Sequence, residues 1–341
     1  EEAEEALNFG LDLLEDVLKP EDGDGPWCPE LQPPQSQIAA LAGYVWCGLG
    51  SPVAAERWQY AHVVRSMVEL GWTEFLEALV AWAKNGATGP FADQGLHFYV
   101  WHARQWLLIG LARGGLENAA ALQTCAPLLQ AWLLEEHVLI RRLAAQALQI
   151  LVTAGELKAD EVGDLDSVNR PSLPGHVYTG WSAPVEEEAL PPEEALNNDE
   201  RYYFGIDIGP YWFAPLGRAF GLTADAIERR ARHALRLHMD WRGGGWGQDA
   251  RHTRKIFDER ETYHSHGSLP KADDLRAYHG YHAMMLVAAA LLKERAVRHR
   301  AEDAADEFRQ WLSDYLLTRG DGSWLADRRD PRLVVDPPLP E

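Results

Sequence analysis

Hydrophobic residues in the first half of the chain recur at spacings of three and four, which is the period of one face of an α-helix. In the second predicted helix, apolar side chains stand at Ala54, Trp58, Ala61, Val64 and Val68, while charged residues fall on the other face. Serine, proline and glycine occur where such helices are expected to begin and end. The predicted helices form three pairs, at about residues 36–48 and 52–68, 73–84 and 95–112, and 116–134 and 137–153.

The second helices of these pairs resemble one another in sequence. Moving the segment 139–155 back by 84 positions brings it onto 55–71, so that Arg141 falls on Arg57 and the final glycines coincide. A further copy, VWHARQWLLIGLARG, ends at Gly114. The glycines that end the three copies are 43 and then 41 residues apart. A repeat of this length, too small to bury its own apolar face, is typical of stacked helix pairs.

These copies resemble HEAT repeats, in which an apolar helix and a short turn precede a second helix with an arginine near its start. The resemblance covers about residues 35–155, and it implies an α-solenoid whose extended surface binds other proteins. Segments such as RWQYAHVVR also look similar to helical regions of large bacterial STAND or NACHT-type proteins of antiphage defence. This second resemblance implies a sensor or scaffold region without catalysis of its own, and the sequence contains no nucleotide-binding loop.

The helical pattern stops at residue 155, and this divides the chain. Residues 1–155 make up the predicted helical-repeat region, whereas residues 156–200 are rich in proline and acidic side chains and lack periodicity, as a linker or an excursion would. Residues 201–341 are predicted to form an aromatic-rich helical domain with long loops. We therefore expect an all-α fold, a HEAT-like α-solenoid followed by an irregular helical domain. Predicted helices of the last region span about residues 223–239, 273–294 and 302–317.

Composition narrows the classes of function. The formal net charge is −20, which argues against nucleic acid as a partner, because binding it depends on neutralising phosphates with lysine and arginine. Three cysteines, Cys28, Cys47 and Cys125, are too few for a disulfide framework and indicate a reducing, cytoplasmic location. No apolar run approaches the roughly 18 to 20 residues that cross a bilayer. Because the chain begins inside a predicted helix without an initiating methionine, we expect it to be part of a longer chain or complex.

The histidines of the second half are the main candidates for chemistry, since seven of the thirteen lie within 50 residues of one another. His264 and His266 form a His-x-His pair, and His279 and His282 share one face of a predicted helix that begins near Asp273. Imidazole and carboxylate groups suit zinc, manganese or iron, so these five residues are a candidate divalent-metal site of a hydrolase. In the alternative interpretation the histidines are interior hydrogen-bonding residues among tyrosines, and Asp273 or Asp274 caps the helix.

A second cluster is basic in an otherwise acidic chain. It consists of Arg229, Arg232, Arg236, Arg251 and Arg254. Such a cluster can hold a phosphate or an acidic partner, although a solvated helix face with ion pairs is the commoner outcome. The sequence thus leaves two hypotheses: a protein-binding region without a cofactor, and a metal-dependent hydrolase.

Overall fold

A computed structural model shows an all-α fold, as the hydrophobic period predicts. The structure describes residues 32–92, 96–179, 202–239, 241 and 269–323, together with residue 9. The first half contains helices α1 (Gln37–Leu49), α2 (Ala54–Glu69), α3 (Thr73–Asn85), α4 (Val100–Gly115), α5 (Ala119–Leu122), α6 (Ala126–Trp132), α7 (Val138–Ala154) and α8 (Ala159–Val162). The second half contains α9 (Ala214–Phe220), α10 (Ala224–His238), α11 (Leu275–Glu294) and α12 (Glu307–Ser313). Two short strands, β1 (His176–Tyr178) and β2 (Arg298–Arg300), pair in parallel.

Several helices begin at the capping residues that the sequence indicates. The side-chain oxygens of Ser36, Thr223 and Asp274 each accept a hydrogen bond from a backbone N–H in the first turn of the helix that follows. Of the two aspartates considered for α11, the cap is therefore Asp274, which leaves the Asp273 side chain available for another contact. At the other end of α7, Gly155 adopts the left-handed conformation that commonly ends a helix.

The single helix predicted over residues 116–134 is wrong. The structure instead contains α5, a short 3₁₀ turn at Gln123–Cys125, and α6. Pro127 lies in the first turn of α6. A backbone N–H at this position has no intrahelical partner, so the missing N–H of proline costs no hydrogen bond. The chain therefore restarts its helix at this point instead of running through it.

Helices α2, α4 and α7 lie side by side in that order, and α1 packs against α3. Two glycines of α4 allow its close approach to α2. A Cβ atom added at Gly110 would lie 2.8 Å from the carbonyl oxygen of Ala61, and one at Gly114 would lie 2.6 Å from Cβ of Val68. This close crossing fixes the side chains of α2 and α4 that face each other. The HEAT-like solenoid and the division at residues 156–200 remain predictions.

Helix α11 joins the two halves of the chain. It packs against α10 and α7, and one hydrophobic cluster includes buried side chains from both halves. Just before α11, the Ala54 amide donates to the Lys271 carbonyl and the Asp273 amide donates to the Pro52 carbonyl, both at 2.9 Å. These backbone contacts place Asp273 beside the first turn of α2. Although α11 is long, no helix in the described part of the chain has the length and apolarity required to cross a membrane.

Candidate ligand pocket and the histidine chain beside it

A pocket of about 530 Å³ lies where α2, α4 and the start of α11 meet, and we call it the α2–α4 pocket. Helix α4 contributes His102, Gln105 and Trp106, which are three and four residues apart and so project from one face. Helix α2 contributes Arg57 and Trp58. Further walls come from Asp273, from Tyr281 of α11 and from nearby aliphatic residues. A small set of polar groups thus converges among apolar and aromatic ones.

A buried ion pair stands at the polar end of the pocket. One Nη atom of Arg57 lies 2.7 Å from Oδ2 of Asp273, and the two side chains are 6% and 7% exposed. The other Nη atom donates to the carbonyl oxygens of Ser51 and Pro52, at 2.7 and 2.8 Å. Burial opposes ionisation of Asp273, but the neighbouring His102 and Arg57 groups outweigh it and hold the pKa of this carboxyl below its ordinary value. The pair is therefore ionised in the folded protein at neutral pH.

Three buried histidines continue from this ion pair into the protein, and we call them the histidine chain. Nε2 of His102 lies 3.2 Å from Oδ2 of Asp273, without an aligned hydrogen bond between them. Nδ1 of His102 lies 2.9 Å from Nε2 of His282, and Nδ1 of His282 lies 3.0 Å from Nε2 of His137. The Ile140 amide donates to Nδ1 of His137 at 3.3 Å.

The Ile140 amide sets the direction of every hydrogen bond in the histidine chain. Because a backbone N–H can only donate, Nδ1 of His137 accepts, and the proton of that neutral ring is on Nε2. This Nε2–H donates to His282, whose own Nε2–H then donates to His102. His102 therefore carries its proton on Nε2, on the side of Asp273 and the pocket. The arrangement presents a donor to the pocket, not a lone pair.

The electrostatics agree with three neutral rings. Burial and the nearby Arg57 guanidinium together lower the pKa of His102 to about 4, although the Asp273 carboxylate acts in the opposite direction. Burial also holds the pKa values of His137 and His282 well below the ordinary imidazole range. Each of these rings is therefore uncharged at neutral pH, as the hydrogen-bond directions require.

Three buried polar atoms in the walls of the α2–α4 pocket have no hydrogen-bond partner within the described residues: Nε of Arg57, Nε2 of His102 and Oε1 of Gln105. Their residues are 5%, 4% and 3% exposed. Buried polar groups are nearly always paired, so such orphans require an explanation such as a ligand or bound water. Beside them, the rings of Trp58 and Trp106 are 5.5 Å apart and nearly perpendicular, at 85°.

The predicted metal residues are only partly brought together. Asp273 lies in the pocket wall, and His282 lies behind it with both ring nitrogens in hydrogen bonds to other histidines. His279 points elsewhere, with Nδ1 2.9 Å from the Tyr202 hydroxyl. His264 and His266 lie outside the described residues. Among the residues that are described, no group of three or more histidine, cysteine, aspartate or glutamate side chains is arranged to hold a metal ion. The metal site stays a prediction.

The predicted basic cluster has internal contacts where it is described. Nε of Arg232 donates to the Tyr202 carbonyl at 3.1 Å, and its guanidinium also pairs with Glu228. The guanidinium of Arg236 lies over the ring of Trp241, 5.5 Å from its centre. Arg229 is half-buried on the same helix, and Arg251 and Arg254 lie outside the described residues. Partner binding by this cluster stays a prediction.

The pocket residues of α2 and α4 are not among those that the sequence pattern singles out. His102 and Gln105 stand three apart in a helix that is buried along nearly its whole length. Polar residues on a buried face require partners, so this spacing was the available signal. From the sequence, His137 could be placed only at the start of α7. In the structure its Nδ1 accepts the hydrogen bond that caps this helix.

Comparison of the sequence with protein-family models gives no match, and comparison with curated proteins gives none. Within the described residues, the α2–α4 pocket is the feature that most directly indicates chemistry, because it combines an ion pair, unpartnered polar atoms and aromatic walls. A functional conclusion therefore depends on the geometry of this pocket.

Proposed function

We propose that this chain is a recognition region that binds a small ligand in the α2–α4 pocket. The observation that carries the proposal is that three residues lining one pocket, Arg57, His102 and Gln105, each have a buried polar atom without a hydrogen-bond partner among the described residues. Leaving a buried donor or acceptor unsatisfied costs about 1–3 kcal/mol each. A bound ligand that pairs with these atoms removes that cost, and the free energy recovered in this way favours binding.

The remaining features of the pocket are those of a small-molecule site. Its volume, about 530 Å³, falls within the range of about 300–1,000 Å³ that is usual for such sites. Trp58 and Trp106 contribute aromatic side chains to its walls beside a small number of polar groups. The polar end is also preorganised, because Arg57 is held by Asp273 and by two backbone carbonyls. Preorganised groups lose little freedom on binding.

Ligand recognition is compatible with the wider role that the repeats suggest. The resemblance of residues 35–155 to HEAT repeats supports a region that also contacts a protein partner. The similarity of RWQYAHVVR-like segments to helical parts of bacterial defence proteins supports a sensor within a larger cytoplasmic protein. In such a sensor, the pocket would receive the ligand and the helix surface would contact the partner.

Binding can be tested with simple phenyl compounds, namely benzyl alcohol, benzamide, benzoate and benzylammonium, by ligand-observed NMR. We expect at least one of them to saturate a single site with a dissociation constant near 1 mM, about −4 kcal/mol. Ala55 is exposed at the pocket, so Ala55→Trp should fill the pocket and abolish this binding. Ser66→Trp is the matched control, since Ser66 is exposed on the same helix and does not line the pocket. Equal binding to both variants would refute the assignment, as would no binding at all.

A metal-dependent hydrolase is the second candidate. It is favoured by one observation: the carboxylate of Asp273, one of the predicted metal ligands, lies in the wall of the α2–α4 pocket. Metal content is measured by mass spectrometry on chain purified without a histidine tag, after incubation with zinc or manganese and desalting. One retained equivalent that is lost in a His264→Ala/His266→Ala variant would favour the hydrolase. Absence of retained metal would contradict it.

A further inference from the structure

We propose that residues 1–19 form an amphipathic helix that docks on the outer side of α1 and α2. The surface that it would cover is an apolar strip, which we call the α1–α2 strip. The strip consists of Leu41, Tyr44, Gly48, Tyr60, Val63, Met67 and Leu70. The inference is independent of the ligand pocket, and it follows from the position and exposure of the strip and from the sequence that precedes α1.

On α1, the strip faces away from the neighbouring helix α3. The Trp82 indole of α3 donates to the Ala39 carbonyl at 2.8 Å, and a Cβ atom added at Gly43 would lie 2.7 Å from the same ring. Helix α3 therefore lies on the side of Ala39 and Gly43. Leu41 and Tyr44 project from the opposite side of α1, because successive residues of a helix are about 100° apart.

On α2, the strip is likewise turned away from α4. Helix α4 approaches α2 at Ala61 and Val68, where its glycines allow close contact. Val63 and Met67 lie about a third of a turn from that contact. The strip thus occupies the side of α1 and α2 on which a preceding helix would pack, and the end of such a row of helices requires a cap.

The strip is continuous between the two helices and is open to solvent. The ring of Tyr60 lies directly over Gly48, and it meets the ring of Tyr44 edge to face with the centres 5.7 Å apart. Leu70 is 75% exposed and Tyr44 is 54% exposed. Contiguous exposed apolar side chains of this kind mark a surface that binds another element.

The segment before α1 has a complementary stripe. The stripe consists of Leu7, Leu11, Leu14 and Leu18. Its spacing of four, three and four is that of one helix face, and the strip from Tyr60 to Leu70 has the spacing three, four and three. At 1.5 Å per residue, both are about 15–17 Å long. Phe9, the one described residue of this segment, falls outside the stripe and is 66% exposed.

Connectivity favours this segment over a second copy of the chain. The 18 residues between Leu18 and Gln37 can span about 60 Å, more than the length of α2, which is about 24 Å. A tether of this kind gives an effective concentration in the millimolar range. A stable interface between two proteins takes about 20–30 residues from each side, whereas the strip offers seven.

The experiment measures how well the segment protects a thiol placed in the strip. Val63→Cys is introduced into the full chain with Cys28→Ser, since Cys47 and Cys125 are buried. The rate of maleimide labelling is followed by mass spectrometry. When Leu11→Ser and Leu14→Ser are added, we expect labelling to become about tenfold faster, because two leucines no longer hold the segment on the strip.

The matched control adds Asp12→Ser and Asp16→Ser, which change the opposite face of the same predicted helix and should leave the rate unaltered. A second control places the thiol at Glu77→Cys, on the exposed side of α3, where neither pair of changes should matter. Equal rates with and without the two leucines would overturn the proposal, as would an equal acceleration at Glu77→Cys. Protection that increases with protein concentration would also overturn it, since a second copy would then cover the strip.

Discussion

The buried ion pair between Arg57 and Asp273 makes a sharp prediction about stability. Asp273→Asn keeps the shape of the side chain and removes its charge, so the guanidinium of Arg57 stays buried without a counter-ion. Because both side chains are less than a tenth exposed, solvent cannot replace the lost carboxylate. Removing one partner of a buried pair typically costs about 3–5 kcal/mol. We expect a loss of that size in the free energy of unfolding.

The same chain supplies an exposed pair for comparison. Nζ of Lys293 lies 3.1 Å from Oε1 of Glu136, a distance similar to that of the buried pair, but the side chains are 59% and 57% exposed. Exposed pairs contribute about 0–1 kcal/mol, because water and salt screen them. Glu136→Gln is therefore a matched control, in which a carboxylate also becomes an amide. The difference between the two variants measures the effect of burial.

Urea unfolding followed by far-UV circular dichroism gives both free energies, provided that the slope with urea is unchanged. Measuring Asp273→Asn in a second variant separates the effect of the lost charge from any effect on packing. In Arg57→Met no cation is left unpaired, so Asp273→Asn should cost much less there than in the native chain. A loss below about 1 kcal/mol in the native background, or an equal loss in both backgrounds, would refute the role assigned to the ion pair.

Three other predictions follow from buried groups. Gly114→Ala should destabilise the protein by about 1–3 kcal/mol in urea unfolding, because the added Cβ meets Val68 at 2.6 Å; an unchanged midpoint would contradict the close crossing of α2 and α4. Since the pKa of His102 falls from about 6.5 in the unfolded chain to about 4, the unfolded state binds more protons between these values. The contribution of His102 to stability is then fully present above about pH 6.5 and is lost toward pH 4, by about 3 kcal/mol for this ring. His137 and His282, whose pKa values are also lowered, add to the loss in the same direction; a flat profile in pH-dependent unfolding would contradict neutral buried rings. In a Cys28→Ser variant, Cys47 and Cys125 should resist a thiol reagent until the chain unfolds, because burial raises the pKa of each thiol to about 12. Rapid labelling of the native chain would contradict this prediction.

Helix limits could be predicted where a residue with a strong local preference lies at the boundary. Ser36 and Thr223 are recognisable as caps from the sequence, because a side-chain oxygen so close to the backbone can reach the first-turn amides. The start of α4 could not be predicted in this way, because the residue before it is Tyr99, which provides no side-chain cap. The break before α6 could not be predicted from Pro127. A proline is compatible with the first turn of a new helix, but it does not require a helix to begin there.

The candidate site could not be predicted because its parts are far apart in sequence. The Arg57–Asp273 pair spans 216 positions, and the His102–His282 contact spans 180. Local sequence shows at each place a polar residue without the partner that it meets in the fold. Gln146 has the same local pattern, but it is satisfied by the Thr318 hydroxyl at 2.8 Å and has a structural role. Distinguishing a satisfied polar group from an unpartnered one requires the partners, which only the fold brings together.

The way the pocket is assembled links ligand binding to the contact between the two halves of the chain. Arg57, His102 and Gln105 come from α2 and α4, whereas Asp273 and Tyr281 come from the start of α11. A ligand that contacts both sets binds the folded arrangement and not the separated halves. By mass action, a ligand at 100 times its dissociation constant stabilises that arrangement by about 2.7 kcal/mol. This is close to the cost expected for replacing Asp273, so a ligand in the pocket would stabilise the arrangement of α2, α4 and α11 around it by a similar amount.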